Sequence, residues 1–368
     1  MSMKRKICIY CETWESGGIE SFLHNVLCHM DLANLDIDIV VACLRPSIFT
    51  EPLEKLGIQF VELSGNPRKI ADNRQKFKRL LREKQYDVLH LNAFQGLQLS
   101  LLRPAKRAGV PVRIAHSHNT ALRKSKTWRL KMLVHRASSL LFSDNATDLW
   151  ACSSDAARFM FPHRVLQNKA WRFIPNGIDL ERFRFDAQQR EEARRELGVS
   201  DCFVVGNVGR LCYQKNQEFL LDVFAVLIKQ RPNSRLLLVG EGEDRQQLME
   251  KAAKLGIVDN VIFYGVTDHV ERLLWAMDVF VFPSRFEGLG IAAVEAQAAG
   301  LPVVCSEFIP DETLVAQNAI RAPLNNMKSW ARALVDITTN NREMPVVCQT
   351  FQIKTVAQAI GEKYNSIE

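Results

Sequence analysis

The sequence predicts an α/β protein with two parallel sheets, one in each half of the chain. Short apolar segments alternate with amphipathic, helix-like segments, and strands separated by helices indicate a parallel sheet covered on both faces. This alternation begins anew after Asn176-Gly177. At 368 residues the chain is too long for one ordinary core and fits two domains. We therefore expect two Rossmann-like domains, residues 1–176 and 177–353, and an amphipathic segment at about 354–368.

Six apolar segments of the first half have the length and composition of strands. They are Lys6–Tyr10, Ile37–Ala42, Gln59–Leu63, Val88–Leu91, Val112–Ala115 and Leu149–Cys152. The corresponding segments of the second half are Phe203–Val208, Leu236–Val239, Val261–Phe263, Val279–Phe282 and Val303–Cys305. The predicted helices include Ile19–Met30, Lys69–Glu83, Phe94–Ala108, Gln217–Lys229 and Arg245–Leu255. Near the C-terminus, Met344–Thr350 is predicted to cross back, and a last helix is predicted near Lys354–Tyr364.

The net charge of +7 is unevenly distributed along the chain. Residues 1–180 carry 27 Lys and Arg against 16 Asp and Glu, and the rest carry 21 against 25. We expect the basic stretch Arg68–Lys84 to be a solvated helix face. The stretch Arg123–Arg136 also contains Trp128 and several aliphatic residues, and two hypotheses remain open for it: a solvated face, or contact with anionic lipid headgroups or a lipid diphosphate. Nucleic acid is not expected as a partner, because no recognition motif or stacking aromatics accompany the basic residues.

The nine cysteines form no regular framework, and no secretory signal is found at the N-terminus. Cys8 and Cys11 are predicted to be buried thiols, because Cys8 falls in an apolar strand and no second pair exists for zinc. No apolar run approaches the length of a membrane span. We therefore expect a reduced, cytoplasmic protein, which would be peripheral at the inner membrane face if Arg123–Arg136 contacts lipid.

The segment Phe286–Glu295 connects a predicted strand, Asp278–Ser284, to a helix-like segment that ends at Gly300. Its sequence, FEGLGIAAVE, combines glycines with the start of a helix. Free backbone N–H groups at a helix start suit a phosphate, and glycines let that backbone approach a ligand closely. Glu287 and Glu295 bracket the turn, and carboxylates beside a phosphate are expected to contact neutral hydroxyls. The pattern predicts a pocket for a nucleotide-sugar.

Two cations follow the predicted strand Phe203–Val208. Arg210 and Lys215 lie in the sequence GRLCYQK, after Gly209. Two positive charges on a strand-to-helix loop can neutralise a diphosphate as it leaves with developing charge. Taken alone they would be ordinary exposed residues. Their position after a glycine-bearing strand end, and ahead of the Glu287 segment, favours a diphosphate clamp.

The Glu287–Glu295 spacing resembles the Glu-x7-Glu signature of the retaining family 4 glycosyltransferases, which have the GT-B fold of two Rossmann-like domains facing a central cleft. Four other segments resemble the family in the same order. They are Gly17-Gly18-Ile19-Glu20, His116-Ser117-His118-Asn119, Pro175-Asn176-Gly177-Ile178-Asp179, and Gly209-Arg210 with Lys215. The resemblance covers most of the chain. It implies sugar transfer with retention of configuration, a nucleotide-sugar donor, and a last helix that packs on the first domain.

The resemblance also implies roles for single residues. Arg210 and Lys215 would stabilise the diphosphate, Glu287 would face the transferred sugar and Glu295 the ribose. A histidine of the 116–119 loop would orient the donor sugar; His118 is favoured because His118-Asn119 resembles the family's His-Asp ending, but His116 remains an alternative. The other residues expected at the donor are Gly17, Gly18, Asn119, Gly209, Glu241, Val266, Gly288, Leu289, Gly290 and Ile291. Glu20 could be only a first-turn charge and is not assigned a role.

One segment departs from the common family pattern. Where many relatives have a Gly-Gly pair, this chain has Cys305–Glu312, and its Pro310-Asp311-Glu312 ending resembles the branch that makes bacterial exopolysaccharide and capsule. The chain has neither an Asp-x-Asp dyad nor a His/Cys/Asp cluster at metal spacing, so we predict no catalytic metal and no cofactor. A UDP-sugar is the expected donor, with GDP as the other candidate, and a saccharide or lipid-diphosphate-linked saccharide is the expected acceptor. The competing hypotheses are a nucleotide-sugar 2-epimerase and a non-catalytic binding subunit.

Overall fold

A computed structural model of the chain describes residues 4–15, 17–122, 126–317, 319–338 and 342–366. The chain divides into two compact units. The first comprises Met1–Ile178 with Phe351–Glu368, and the second comprises Asp179–Thr350. The predicted boundaries after residues 176 and 353 differ from these by two and three residues. Each unit contains one parallel sheet, as the alternation of apolar and amphipathic segments predicts.

The sheet of the first unit has seven parallel strands. They are β1 (Arg5–Trp14), β2 (Leu35–Leu44), β3 (Gln59–Glu62), β4 (Val88–Ala93), β5 (Val112–Ser117), β6 (Asp148–Ala151) and β7 (Trp171–Phe173). Their order across the sheet is β3-β2-β1-β4-β5-β6-β7. Six of them were predicted. The strand β7 was missed because three residues are too few to show a periodicity.

In the described part of the first unit, seven α-helices precede β7. They are α1 (Gly18–Cys28), α2 (Thr50–Lys55), α3 (Ile70–Lys84), α4 (Leu102–Arg107), α5 (Trp128–Phe142), α6 (Ser154–Met160) and α7 (His163–Asn168). The predicted helix Phe94–Ala108 is wrong as a single element, because a 3₁₀ helix, Gly96–Leu101, precedes α4. The Gln98 side chain explains the tight first turn, since its Oε1 accepts the N–H groups of Phe94 and Gln95 at 2.8 and 3.2 Å.

The second unit repeats the architecture with six parallel strands. They are β8 (Phe203–Val208), β9 (Ser234–Val239), β10 (Val261–Gly265), β11 (Val279–Phe282), β12 (Val303–Ser306) and β13 (Ile320–Ala322), in the order β10-β9-β8-β11-β12-β13. Its helices are α8 (Leu180–Phe183), α9 (Ala187–Glu196), α10 (Gln217–Gln230), α11 (Arg245–Lys254), α12 (Val270–Ala276), α13 (Ile291–Ala298) and α14 (Met327–Asp336). Five strands were predicted, and the three-residue β13 was missed.

The chain then returns to the first unit. The predicted crossing segment, Met344–Thr350, overlaps a 3₁₀ helix, Val346–Phe351, which is followed by α15 (Ile353–Asn365). Ile178 exchanges backbone hydrogen bonds with residues 351–353. The Ile178 N–H donates to the Phe351 carbonyl at 2.8 Å, and the Ile353 N–H donates to the Ile178 carbonyl at 2.9 Å. The apolar face of α15 is buried in the core formed with β1 and α1.

Both sheets have a point where the strand order reverses, between β1 and β4 and between β8 and β11. In doubly wound sheets, ligands bind outside the carboxyl ends of the strands at such points. In the first unit the polar groups at this edge follow β1, β4 and β5. In the second unit they follow β8 and β11.

Candidate active site

The start of α13 is an anion-binding candidate in the second unit. Gly290 precedes the helix with a φ of +83°, a conformation that favours glycine, and no side chain caps the helix start. A Cβ at Gly290 would lie 2.9 Å from the Phe282 ring. Leu289 is buried, and its carbonyl accepts a hydrogen bond from the Thr313 hydroxyl. Phe282 and Thr313 therefore fix the conformation of this turn. Its backbone N–H groups carry the partial positive charge of the helix end.

Lys215 and Glu287 form an ion pair beside this turn. The Lys215 Nζ lies 2.8 Å from Glu287 Oε1, and the two side chains are only 17% and 7% exposed. Gln214 Nε2 donates to Glu287 Oε2 at 3.3 Å, and the ammonium lies 4.8 Å from the Phe282 ring centroid. The predicted clamp cation and the predicted sugar-facing carboxylate thus lie together, because β8 and β11 are adjacent.

The loop after β8 requires a glycine. Gly209 has a φ of +151°, and a Cβ there would lie 3.1 Å from Lys215 Cε. Arg210, the next residue, is exposed and its Nε lies 3.2 Å from Glu243 Oε2. Arg210 therefore differs from Lys215: its guanidinium is held only by a surface pair, which is worth little and can be exchanged for a ligand.

Glu241 and Val266 follow β9 and β10 on neighbouring loops. Glu241 pairs with Arg245 at 3.2 Å, and Val266 is 72% exposed. Both residues are exposed and therefore lie outside the core. They remain predictions for contact with the nucleoside.

Glu295 lies in the second turn of α13 and is half-buried. Burial raises its pKa to about 7, while Arg182 and Lys215 act in the opposite direction and Glu271 adds to the increase. Arg182 forms an ion pair with Glu271 at 2.7 Å and also donates to the Asp268 carbonyl. Sequence reasoning missed Arg182 and Glu271, which lie far from the motif. Arg182 comes near Glu295 through the packing of α8 on α13, and Glu271 of α12 is its ion-pair partner.

The loop after β1 contains two of the first unit's candidate residues, Gly17 and Gly18. Gly17 caps α1 with an extended backbone, and a Cβ there would lie 2.5 Å from Glu20 Oε2. Gly18 is exposed, with open space where a Cβ would be. The side chain of Glu20 is buried, and this burial raises its pKa to about 7. Gly17 therefore makes room for Glu20, whereas only Gly18 has open space for a ligand.

Three histidines form a cluster at the carboxyl ends of β4 and β5. The rings of His116 and His118 lie 4.0 Å apart. His116 is fully buried, and its Nδ1 lies 3.1 Å from His90 Nε2. His90 Nδ1 lies 2.6 Å from the Tyr364 hydroxyl of α15. His116 is therefore buried, whereas His118 is half-buried and lies nearer the surface; that either histidine contacts the donor remains a prediction.

The hydrogen bonds define how His118 can act. Asn92 Nδ2 faces the Tyr10 carbonyl at 3.5 Å, which leaves its Oδ1 to accept from His118 Nε2 at 2.8 Å. Burial lowers the pKa of His118 to about 3, so the imidazole is neutral at pH 7. With its proton on Nε2, the other nitrogen, Nδ1, is an acceptor. Asn119 instead secures the loop, because its Nδ2 donates to the Ala121 carbonyl at 2.6 Å.

His90, Asn92 and Tyr364 were not found from the sequence. A signal was present in β4, where His90 and Asn92 alternate with apolar residues although the whole strand is buried. Polar residues with a period of two in a buried strand indicate a hydrogen-bonded network on one face. Tyr364 gave no signal, because it is 274 residues from its partner.

The described residues provide neither a candidate metal cluster nor a membrane-spanning helix. Among them no group of three or more His, Cys, Asp or Glu is placed to hold a metal ion. No helix in the described ranges has the length and apolarity needed to cross a bilayer. Metal independence remains a prediction.

The basic stretch Arg123–Arg136 lies mostly in α5, and its residues 123–125 are outside the described ranges. The helix has an unusual distribution of polarity. Its buried residues are His135, Ser138 and Ser139, whereas Leu130, Leu133, Val134, Leu140 and Leu141 are exposed. His135 holds the buried side, with Nδ1 accepting from the Gly96 N–H at 2.8 Å and Nε2 2.9 Å from the Phe159 carbonyl. The apolar face of α5 therefore points to the surface.

Comparisons with known proteins agree with this geometry. Residues 16–182 match the family model described as Glycosyltransferase Family 4, and residues 189–350 match the one described as Glycosyl transferases group 1. The chain is 30% identical over 344 residues to the putative glycosyltransferase EpsF of Bacillus subtilis, a match that covers 90% of this chain and 88% of that protein. It is 27% identical over 317 residues to the UDP-Gal:alpha-D-GlcNAc-diphosphoundecaprenol alpha-1,3-galactosyltransferase of Escherichia coli, covering 83% and 81%.

Solved structures show the same fold. The crystal structure of Anabaena Alr3699/HepE in complex with UDP and glucose matches with a TM-score of 0.79 at 20% identity, over 99% of this chain and 100% of that one. The sucrose-phosphate synthase of Thermosynechococcus elongatus matches with a TM-score of 0.76 at 18% identity, over 98% of each chain.

Proposed function

The chain belongs to the family 4 glycosyltransferases with the GT-B fold, and from this premise we propose that it moves a sugar, with retention, from a UDP-sugar to a saccharide or lipid-linked saccharide in polysaccharide or glycolipid biosynthesis. The observation that carries the proposal is the second unit's edge, where the α13 start, Lys215, Glu287 and Glu295 lie together. The UDP in the Alr3699/HepE crystals and the names of the relatives support the donor and the pathway class.

The diphosphate would bind the backbone N–H groups at the start of α13. Lys215 has three N–H donors, so it can keep Glu287 and still donate to a phosphate oxygen. Arg210 can leave its exposed partner Glu243 for the same diphosphate. These groups stabilise negative charge as it develops on the leaving diphosphate, which is the main contribution that a protein makes to such a transfer.

The carboxylates would bind hydroxyls. Glu295 lies more than one turn into α13, which places it about 6 Å along the helix axis from the phosphate-binding end, within reach of the ribose. Glu287 would accept from a hydroxyl of the transferred sugar. In the first unit, His118 Nδ1 can accept a hydrogen bond from a hydroxyl group, because Asn92 holds the proton on Nε2.

Retention would follow from attack on the face that the diphosphate leaves. The bond from the anomeric carbon to the phosphate oxygen breaks, and the bond from that carbon to the acceptor oxygen forms on the same side. The acceptor hydroxyl proton passes to the leaving phosphate oxygen. The protein contributes position and charge stabilisation.

We also propose that α5 docks the protein on an anionic lipid surface. Its apolar residues are exposed, and Arg129, Lys131 and Arg136 lie exposed among them. Apolar burial and basic charge together give the binding typical of interfacial helices. Leu133→Ser with Leu141→Ser should weaken sedimentation with phosphatidylglycerol vesicles, whereas Leu255→Ser on α11's C-cap should not. Equal sedimentation of both variants and the wild type would contradict the docking.

The function is tested by incubating the purified protein with UDP-glucose, UDP-galactose, UDP-N-acetylglucosamine and GDP-mannose, with and without a lipid extract as acceptor. We expect UDP release that rises with extract, persists in EDTA and gives an α-linked product by NMR. Conversion of the donor to an epimer without extract would favour the epimerase. Donor binding with no product in any mixture would favour the non-catalytic subunit.

A further inference from the structure

Thr313 contacts the turn that precedes α13. It ends a 3₁₀ helix, Asp311–Thr313, in the segment that follows β12, and its side chain is fully buried. The Thr313 hydroxyl donates to the Leu289 carbonyl. Since β11 lies between β8 and β12 in the sheet, this contact reaches the loop after β11 from the β12 side. Lys215, on the loop after β8, contacts Glu287 of the same loop from the opposite side.

Thr313 is itself fixed by a side chain of α13. Gln297 is fully buried, and its Nε2 donates to the carbonyls of Ala293 and Thr313, each at 2.8 Å. Its Oε1 accepts from the N–H groups of Val315 and Ala316, each at 2.9 Å. Both polar atoms of this amide thus have partners. The position of the Thr313 hydroxyl relative to the start of α13 is therefore set by the helix that carries the turn.

The Thr313 contact determines which way the Leu289–Gly290 peptide faces. The described residues contain no cis peptide bond, and in a trans peptide the C=O and N–H groups point to opposite sides. With its carbonyl directed at Thr313, this peptide directs the Gly290 N–H away from the β12 side, toward the side of Lys215. The N–H is the positive end of the peptide dipole. Gly290 is buried, so the peptide acts on a nearby anion chiefly through this dipole.

Gly290 does not fix this orientation by itself. Its φ is +83°, and glycine adopts positive and negative φ about equally well. A flip of the preceding peptide would direct the Leu289 carbonyl oxygen, a partial negative charge, toward the side of Lys215. It would also leave the Thr313 hydroxyl buried without an acceptor, which destabilises the flipped form. The hydroxyl therefore selects the orientation that favours an anion.

We propose that Thr313 is a positioning residue for the diphosphate: its hydroxyl holds the Leu289–Gly290 peptide with the positive end of the dipole toward the diphosphate. The identity of this ligand rests on the proposed function. Thr313 acts through Leu289 and needs no contact of its own with the ligand. A hydroxyl that only stabilised the fold would affect every ligand of the second unit alike. A hydroxyl that orients this peptide affects only ligands that carry the diphosphate.

The first measurement follows the peptide itself by NMR. In the full chain, leucine carbonyl carbons labelled with ¹³C and glycine nitrogens labelled with ¹⁵N give a correlation signal only from Leu-Gly peptides. The sequence contains four of these: Leu56-Gly57, Leu197-Gly198, Leu255-Gly256 and Leu289-Gly290. Leu289→Met identifies the last signal by its loss. Thr313→Val should move this signal, because the carbonyl loses its hydrogen bond, and should leave the other three in place. Thr313→Ser keeps a hydroxyl and should restore the wild-type position.

The second measurement compares UDP with uridine, by ligand-observed NMR titration of the same samples. Thr313→Val should bind UDP about fivefold less tightly than the wild type, the size of a charge effect at a helix end, and should bind uridine equally. Thr313→Ala, which also removes the hydroxyl, takes its place if Thr313→Val does not fold. Ser234→Ala is the matched control, because its buried hydroxyl donates to the Arg231 carbonyl at 2.7 Å at the start of β9, on the opposite edge of the sheet. This control should bind both ligands as the wild type does.

Three results would overturn the proposal: an unmoved Leu289–Gly290 signal in Thr313→Val, wild-type UDP affinity in that variant, or equal losses of UDP and uridine affinity, which would indicate a purely structural role. No UDP binding to the wild type would reject the proposed donor, and with it the ligand of this turn. UDP binding to the wild type together with an unmoved signal in the variant would reject the positioning role alone.

Discussion

The two units carry sheets of the same architecture, yet their functional edges are built differently. In the second unit the charged residues lie on the loops after β8, β9 and β11, and they form pairs between these loops: Lys215 with Glu287, and Arg210 with Glu243. In the first unit the polar residues come singly from several elements, and His118 is neutral at pH 7 because burial lowers its pKa. A site for a strong anion needs cations, and cations in an empty site need counter-charges. A site for neutral hydroxyls has no such requirement.

The largest effect should follow from removing the cation of the second unit. Lys215→Ala deletes a charge next to the leaving diphosphate, and loss of one such stabilising donor costs about 2.7–4 kcal/mol, or roughly 10²–10³-fold in turnover. Initial rates of UDP release with the best donor measure it. Lys251→Ala, which breaks a pair with Asp222 at 2.6 Å elsewhere in the same unit, is the control.

Stability has to be separated from catalysis in this variant, because Lys215→Ala leaves Glu287 buried without its cation. The double variant Lys215→Ala with Glu287→Ala removes both charges and should restore the melting temperature but not turnover. Near-normal turnover in the single variant would refute the role of Lys215 at the diphosphate.

A smaller effect is expected for the ribose contact. Glu295→Ala should weaken UDP binding by about 10- to 100-fold, the range for a hydrogen bond to a charged group, and isothermal titration measures it. The control is Glu250→Ala, at an exposed position of α11. Equal UDP affinity for Glu295→Ala and wild type would mean that Glu295 only neutralises Arg182.

The grouping of the second unit's candidate residues was visible in the sequence, because one loop contains Gly209, Arg210 and Lys215 and another segment runs from Glu287 to Glu295. Each loop carries several functional groups at fixed spacing, and such groupings are visible in a single sequence. What the sequence could not show is that Lys215 and Glu287 pair, since that depends on β8 lying beside β11.

The first unit's edge was only partly predictable. The histidine loop stood out, but the distinction between buried His116 and half-buried His118 required the packing of His90 and Tyr364. The basic helix α3 was expected to be a solvated face, and most of its basic residues are exposed. Arg74 and Lys84 are half-buried: Arg74 lines a cleft with residues of β1 and of the segment after β4, and Lys84 pairs with Asp38 at 3.2 Å.

The histidine of the first unit offers a third prediction, of about tenfold. Asn92→Leu removes the acceptor that holds the His118 proton on Nε2, so the acceptor nitrogen would no longer be fixed. We expect kcat to fall with little change in UDP affinity, and the ¹⁵N shifts of His118 to show a mixture of tautomers. Asn92→Asp keeps an acceptor and should restore the Nε2–H tautomer. An unchanged tautomer in Asn92→Leu would show that Asn92 does not position His118.

The last prediction concerns how the free energy of unfolding depends on pH. It compares one carboxyl group of each unit, Glu20 and Glu295. Burial raises the pKa of both Glu20 and Glu295 from 4.5 to about 7. Between these values the folded state holds a proton that the unfolded state has lost, so each group lowers the free energy of unfolding as pH rises from about 4.5 to about 7. Glu20→Gln and Glu295→Gln should therefore gain stability relative to wild type across that range.

Urea unfolding at pH 5, 6, 7 and 8 measures this difference, with Glu250→Gln as the exposed control. A stability difference that shrinks as the pH rises would contradict the assignment for the unit concerned.

The central claim is that the second unit binds the nucleotide of a UDP-sugar, and thermal unfolding with UDP, GDP, ADP and NAD tests it most directly. A ligand at 100 times its dissociation constant adds about 2.7 kcal/mol to the stability of the folded protein. We predict that UDP raises the melting temperature of the wild type and of Lys251→Ala, and raises that of Glu295→Ala much less. No shift with UDP, or a shift with NAD of the same size, would contradict the account.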